Sequence, residues 1–259
     1  MKQNNKQTIY NAWHKNLYQT NIASAIQRQK YLNKTIIRYL NITEETKGKL
    51  LDVACGKGIF LHEVRNRNKY LALYGSDISD VAIKDAKKIV NATFSVDDGE
   101  DLSLPNNFFD YVVSSGGLEY YDDAIQGVKE IRRVLKKNGT AIFFVPNLMF
   151  IGYIWLAMRH GSMPTHGGED KKGKKVYDYN VETFYSRKGW IDILTDGGLE
   201  IVTTHRYEHL GSTRHANDFL LKLYDLLLHK IIPQNLAYSF VFVCKKNNKI
   251  NMHKRKHER

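Results

Sequence analysis

The sequence of 259 residues predicts a doubly wound α/β fold, in which a mostly parallel, seven-stranded sheet carries helices on both faces. Three observations predict it. From residue 48 onward, short runs rich in β-branched and aromatic residues alternate with segments of helical periodicity. The runs are apolar throughout, as in strands that are covered on both faces. The connecting segments have roughly the 10–15 residues of a crossover helix, and right-handed crossovers leave few topologies open.

Residues 49–146 contain five of the predicted strands. They are expected over 49–54, 71–77, 92–96, 109–115 and 140–146. Helices are expected near 58–67, after Ser79 and over 123–135. Ser79 is a suitable N-cap because the residues after it form an apolar stripe with a period of 3.6. The "KKNG" stretch, residues 136–139, is predicted to be the turn that leads into the fifth strand.

After Pro146 the alternation of strands and helices stops. An insertion over 147–180, rich in Gly, Lys and His, is predicted to be a lid or a binding loop. The pattern then resumes with a helix over 186–198, a strand over 199–207, an amphipathic helix over 215–232 and a closing strand over 237–245. Three parts are therefore expected: an N-terminal helical cap or lid over 1–47, a ligand-binding domain over 48–245 and a disordered basic tail over 246–259.

The net charge of +12 is concentrated at the two ends of the chain. Residues 51–244 are close to neutral, so the basic ends are either solvated segments or a handle for RNA or an anionic membrane. Cys55 and Cys244 lie too far apart in sequence to indicate a disulfide framework or a metal cluster, which favours the cytoplasm. The longest apolar run, 148–158, is shorter than the roughly 20 residues of a transmembrane helix, although it could touch a membrane surface.

The stretch "DVACGKG", residues 52–58, follows the first predicted strand at the edge of the sheet where ligands bind. Gly56 and Gly58 let a ligand approach the backbone. Neither the G-x-G-x-x-G pattern of dinucleotide sites nor the G-K-[ST] of a P-loop is complete. Asp52 would repel a pyrophosphate and suits a cation, whereas Asp77 can accept from a ribose. With Asp98 and Gly99 placed for an exocyclic amine, the ligand described is S-adenosylmethionine.

Four segments in order also resemble the class I S-adenosylmethionine-dependent methyltransferases, which have a Rossmann-like fold. They are "LLDVACGKG", "GSDIS", "DDGEDLSLPNNFFDYVVSSGGLEYYDD" and "VLKKNGTAIFFVPN". The resemblance implies that Gly56 and Gly58 back the methionine group, that Asp77 binds the ribose and that Asp98 and Gly99 bind the adenine. Ser115 would lie beside the sulfonium. Asp52, Ala54, Ile78 and Tyr18 complete the expected cofactor-binding set, and the product would be S-adenosylhomocysteine.

The expected reaction is methyl transfer to an oxygen, or less readily a nitrogen, of a small-molecule acceptor. The chain resembles the branch that acts on sugars, glycan precursors, quinones and natural products. Two catalytic candidates stand out: His166 in the insertion, and Tyr120, which stands where that branch often has histidine. No metal is expected. Two alternatives stay open, an RNA or protein methyltransferase that uses the basic ends and a non-catalytic protein that only binds the cofactor.

Overall fold

The computed structural model describes residues 3–17, 22–160, 183–208 and 231–247. Several predicted features lie outside these ranges: Tyr18, His166, most of the predicted insertion, nearly all of the predicted helix over 215–232 and most of the basic tail. The described helices are α1 (Gln3–Leu17), α2 (Ile22–Tyr39), α3 (Ile59–Arg67), α4 (Asp80–Ile89), α5 (Ala124–Val134), α6 (Ile151–His160) and α7 (Arg187–Asp196). The strands are β1 (Gly48–Val53), β2 (Leu71–Asp77), β3 (Thr93–Val96), β4 (Phe109–Ser115), β5 (Leu135–Pro146), β6 (Leu199–Tyr207) and β7 (Ser239–Lys246).

These strands form one sheet in the order β3-β2-β1-β4-β5-β7-β6. The pairs from β3 through β5 are parallel, and β7 runs antiparallel to both β5 and β6. The predicted fold class is thereby confirmed. Because the chain passes from β1 outward to β2 and β3 and then returns to β4, the order reverses between β1 and β4. A crevice outside the carboxyl ends of the strands is expected at such a switch point.

Helices cover both faces of the sheet, and each face has its own apolar core. On one face α5 and α7 pack against the sheet through side chains such as Val128, Ile131 and Trp190. On the other face α2 and α3 pack through side chains such as Ile36 and Leu61. Strands that are buried on both faces have apolar side chains at consecutive positions, which explains the continuous runs in the sequence.

The predicted turn over 136–139 is wrong. Strand β5 begins at Leu135, directly after α5, and includes the "KKNG" stretch. The register with β4 shifts between Phe109 and Tyr111, and this irregularity accommodates the extra residues. Lys136 Nζ lies 2.8 Å from Asp110 Oδ1, so a lysine that suggested a solvated turn holds the strand against β4 instead.

Both faces of α6 carry apolar side chains. Tyr153 is buried on its inner face, whereas Ile151, Ile154 and Met158 are exposed on the outer face. Among the helices that the structure describes, none is both long enough and apolar enough to span a membrane.

Candidate active site

A cavity of about 490 Å³ lies along the edge of the sheet where the parallel strands end. All seven strands contribute to its wall. Six of them do so with a residue at or just after their carboxyl ends: Asp97, Asp77, Ala54, Ser115, Pro146 and Tyr207. Antiparallel β7 contributes its first residue, Ser239. Helices α1 and α2 close the cavity with residues that include Tyr10, Trp13 and Asn33. The site is therefore assembled at the switch point that the topology predicts.

The glycine-rich loop after β1 has left-handed backbone at both Ala54 (φ 59°) and Gly56 (φ 51°). Glycine adopts this conformation without strain, whereas alanine does so at a cost. A Cβ atom on Gly56 would meet His14 Cε1 at 3.5 Å. Both Ala54 and Gly56 line the cavity, as expected.

Gly58 has a different position from the one that we expected. It precedes α3 with a φ of 72° and is outside the cavity wall formed by the described residues. A Cβ atom there would lie 3.1 Å from Ala86 Cβ and 3.2 Å from Val90 Cγ1. The absence of a side chain at Gly58 thus allows α3 to pack closely against α4.

Asp77 ends β2 and is buried, with 6% of its surface exposed. Its Oδ2 accepts a hydrogen bond from the backbone N–H of Gly56, and its Oδ1 accepts one from the N–H of Ser79, both at 2.8 Å. His14 Nε2 lies 3.9 Å from Oδ1. Asp77 therefore holds the glycine-rich loop and the start of α4 in place. It also lines the cavity.

Asp52 is a second buried carboxyl group in the cavity wall. Burial, together with the nearby Asp77 carboxylate, raises its pKa well above the ordinary value for aspartate. Within the described ranges, no side chain or backbone group donates a hydrogen bond to it. Burial lowers the pKa of His14 and outweighs the opposing effect of Asp77. A cation placed beside Asp52 would stabilise its ionised form.

The loop after β3 contains two adjacent aspartates, Asp97 and the predicted ligand-binding residue Asp98. Asp97 accepts hydrogen bonds from the hydroxyl groups of Ser95 and Ser103, at 2.5 and 2.7 Å. Asp98 instead accepts from the backbone N–H of Glu100 at 3.0 Å. Both aspartates line the cavity. The two serine contacts give Asp97 a structural role and leave Asp98 as the better candidate for ligand binding.

Tyr121 fills the space beside Gly99. A Cβ atom on Gly99 would lie 1.8 Å from the Tyr121 hydroxyl oxygen, and one on Gly127 would lie 2.3 Å from its ring. In the part of the chain that the structure describes, no group pairs with this buried hydroxyl. Burial raises the pKa of Tyr121 well above its ordinary value, with nearby carboxylates such as Asp98 adding to the effect. Gly99 thus makes room for a ring in the cavity wall.

Helix α1 is joined to the strand-end loops by polar contacts. Lys6 Nζ lies 2.5 Å from Glu100 Oε2 and 3.0 Å from Asp122 Oδ2. Asn11 donates to Asp80 Oδ1 at 2.7 Å and accepts from the Ser79 hydroxyl at the same distance. No local sequence pattern indicated Lys6 or Asn11, because their partners lie far away along the chain.

The middle of the cavity wall follows β4. Ser115 and Tyr120 lie there as expected, together with Gly116, Gly117 and the buried Glu119. The backbone carbonyl of Tyr120 accepts a hydrogen bond from the hydroxyl group of Tyr10 at 3.4 Å. Ile78 lines the wall on the side of β2. The structure thus brings together all the predicted site residues in its described ranges except Gly58.

The far end of the cavity, beyond β4, is lined by aromatic rings. Its rings are those of Phe144, Tyr153, Phe184, Tyr207 and Tyr238, and we refer to this group as the aromatic wall. Tyr153 and Phe184 are stacked with ring centroids 5.9 Å apart, and Phe144 meets Tyr207 edge to face at 5.1 Å. The sequence did not reveal this group, because its members come from segments that are far apart in the chain.

Comparison with known proteins places this geometry in a family. A family profile described as a methyltransferase domain matches residues 51–143. A ubiquinone/menaquinone biosynthesis C-methyltransferase of Rickettsia rickettsii is 30% identical over 170 residues, which cover 59% of this chain and 68% of the relative. The chain belongs to the S-adenosylmethionine-dependent methyltransferases. It is a methyltransferase enzyme of the class I fold, and its cofactor is S-adenosylmethionine.

Solved structures agree with this assignment at the level of the fold. A putative methyltransferase of Haloferax volcanii, solved in complex with the Trm112 methyltransferase activator, has a TM-score of 0.63 at 16% identity, covering 93% of this chain and 97% of that one. An S-adenosylmethionine-dependent methyltransferase of Methanosarcina mazei has a TM-score of 0.57 at 20% identity, covering 82% and 97%.

Proposed function

We propose that this methyltransferase transfers a methyl group to a ring carbon of a small, quinone-like acceptor. One observation carries the proposal: a single cavity has a carboxylate-rich end beside β1, β2 and β3 and an aromatic end beside β5, β7 and β6. The first end suits a cationic donor of the methyl group, and the second suits a flat, apolar acceptor. The two ends meet after β4.

The carboxylate-rich end has the groups that S-adenosylmethionine requires. Asp77 would accept hydrogen bonds from the ribose hydroxyls, since a carboxylate has about four lone-pair sites and backbone N–H groups use only two of them. Asp52 would face the ammonium group. Asp98 and Gly99 would hold the adenine. Ala54, Gly56, Ile78 and Ser115 would line the remainder of the donor site.

The cofactor, when bound, offers a methyl group on a sulfonium sulfur, which keeps the bonding electron pair as the methyl group leaves. The ring carbon of the acceptor supplies the electron pair of the new bond, and the proton on that carbon is lost to solvent. The protein's part is to align the acceptor with that methyl group. Alignment alone can lower the activation free energy by roughly 7–11 kcal/mol. Tyr120 borders the meeting point of the two ends. We assign its hydroxyl group to orienting an oxygen of the acceptor.

The aromatic wall supports a ring as the acceptor. Aromatic rings pack against one another in stacked or edge-to-face arrangements with favourable energies, and a flat, apolar acceptor would add a further ring to this packing. The similarity to the ubiquinone/menaquinone C-methyltransferase supports a ring carbon as the atom that is methylated. Methylation of oxygen, which the sequence led us to expect, is the competing outcome.

The experiment that tests the proposal uses cofactor labelled with ¹³C in the methyl group. The purified enzyme is incubated with reduced 1,4-naphthoquinone or with glucose, and the product is analysed by NMR. We expect turnover of the quinol only, with the label on a ring carbon, and its loss in Asp77→Asn. Label on oxygen, or transfer to the sugar without transfer to the quinol, would refute the proposal.

A further inference from the structure

Asn33 breaks the apolar stripe of helix α2. The stripe continues through Ile36, Ile37 and Leu40, which are at most 3% exposed. Asn33 precedes them at the spacing of the same helix face, and it is also only 3% exposed. A polar residue at such a position normally has a hydrogen-bond partner inside the protein.

Among the residues that the structure describes, the amide nitrogen of Asn33 has no such partner. Its Nδ2 is buried, and no acceptor among the described residues lies within hydrogen-bond distance. Leaving a buried amide unpaired costs folding free energy, and leucine would avoid that cost. Stability therefore does not explain the asparagine, whereas a ligand that completes its hydrogen bonds does.

Asn33 lies on the cavity wall, with Gln29 and Leu32 from the same helix. The aromatic wall lies in the same cavity, and one of its members, Tyr207, shares an apolar cluster with the α2 stripe. A ring held against aromatic side chains is free to slide or rotate in its plane. One hydrogen bond at its rim would fix its orientation.

We infer that Asn33 binds a second oxygen of the acceptor, distinct from the one assigned to Tyr120, and so positions the ring for methyl transfer. The inference rests on the proposed function, because it assumes an aromatic acceptor in this half of the cavity. The unpaired atom is a donor, so the group that it binds must be a hydrogen-bond acceptor such as a quinone carbonyl or a ring hydroxyl oxygen. Asn33 would thus select oxygen-bearing rings over plain hydrocarbons.

The test compares two probes of similar shape, 1,4-naphthoquinone and naphthalene. Their dissociation constants are measured by equilibrium dialysis in the presence of S-adenosylhomocysteine, for the wild type, Asn33→Leu and Asn33→Ser. The exposed Asn66 gives a matched control, Asn66→Leu, outside the cavity. Urea unfolding and S-adenosylhomocysteine binding report whether each variant is folded.

We expect the wild type and Asn66→Leu to prefer naphthoquinone by roughly tenfold, as one hydrogen bond of about 1.4 kcal/mol gives. Asn33→Leu should lose most of this preference while unfolding at no lower urea concentration than the wild type. Asn33→Ser, which keeps a donor, should retain part of the preference.

An undiminished preference in Asn33→Leu would refute the role of Asn33 and leave quinone binding, and so the proposed function, intact. If the wild type bound neither probe, the proposed function would fail and this inference with it.

Discussion

Replacing Asp77 separates the structural contribution of this carboxylate from its contribution to cofactor binding. The carboxylate accepts two backbone hydrogen bonds at 2.8 Å and is almost entirely buried. Asp77→Ala would leave both N–H groups without acceptors, at a cost of about 1–3 kcal/mol each. The alanine variant would therefore lose roughly 2–6 kcal/mol of unfolding free energy, and its weak binding could reflect partial unfolding.

Asp77→Asn is the sharper substitution. The amide keeps one oxygen for one N–H group and turns an NH₂ group toward the other, so the unfolding free energy should fall by only about 1–3 kcal/mol. A hydrogen bond from a ribose hydroxyl to a charged acceptor contributes about 1.5–3 kcal/mol. Loss of one such bond should weaken S-adenosylhomocysteine binding by roughly 10- to 150-fold.

Asp110→Asn is the matched control, because Asp110 also accepts a hydrogen bond from a backbone N–H, that of Lys49, at 2.9 Å. Asp110 lies near the start of β4, at the edge of the sheet opposite the cavity. It does not line the cavity formed by the described residues. Its substitution should lower stability without changing cofactor affinity. Calorimetric titration and urea unfolding measure both quantities. Binding by Asp77→Asn within threefold of the wild type would refute the ribose assignment.

Three further substitutions test other parts of the cavity. Because the pKa of Asp52 is raised in the folded protein, the unfolding free energy should fall as pH rises from about 4, the ordinary value for aspartate. Asp52→Asn should remove this decline. If urea unfolding at several pH values showed the same decline in the variant as in the wild type, the reasoning would be contradicted. Lys6→Met removes contacts with Glu100 and Asp122, so the dissociation rate of S-adenosylhomocysteine should rise several-fold and depend less on salt, as stopped-flow measurements can show. Tyr121→Phe removes a buried hydroxyl that has no partner in the described part of the chain and should raise the unfolding free energy by about 1 kcal/mol. A loss of stability in denaturant unfolding would refute that interpretation.

The donor half of the site could be predicted from the sequence because its residues follow strand ends that are visible as local patterns. Local sequence patterns predict where three of its features lie: the apolar run before Asp52, Gly56, and Asp77 at the end of β2. The sequence did not show the packing role of Gly58, since its environment is set by Ala86 and by Val90 just after the same helix. Local spacing shows that a glycine is needed but does not show which neighbour requires it.

The remaining contacts depend on pairings over long distances in the chain. Lys6 meets Glu100 across 94 residues, which no local pattern can indicate. The same limit applies to Asn33, where the sequence shows a polar residue in an apolar stripe but not the cavity beside it. At 136–139 the lysines and glycine favoured a turn, but these residues continue β5 between Leu135 and Thr140, the two positions that pair with β4 on either side of the register shift.

The two halves of the cavity also differ in how they can change during evolution. Apart from α1, the donor half comes from residues 52–121, which form a continuous part of the chain. The acceptor half is drawn from separate segments on α2, β5, α6, β6, β7 and the residues before α7. A substitution in one of those segments would reshape the proposed acceptor site and leave the residues of the donor site in place. Relatives that share the matched region 51–143 can therefore keep the same binding site for the methyl donor, while each evolves a site for a different acceptor.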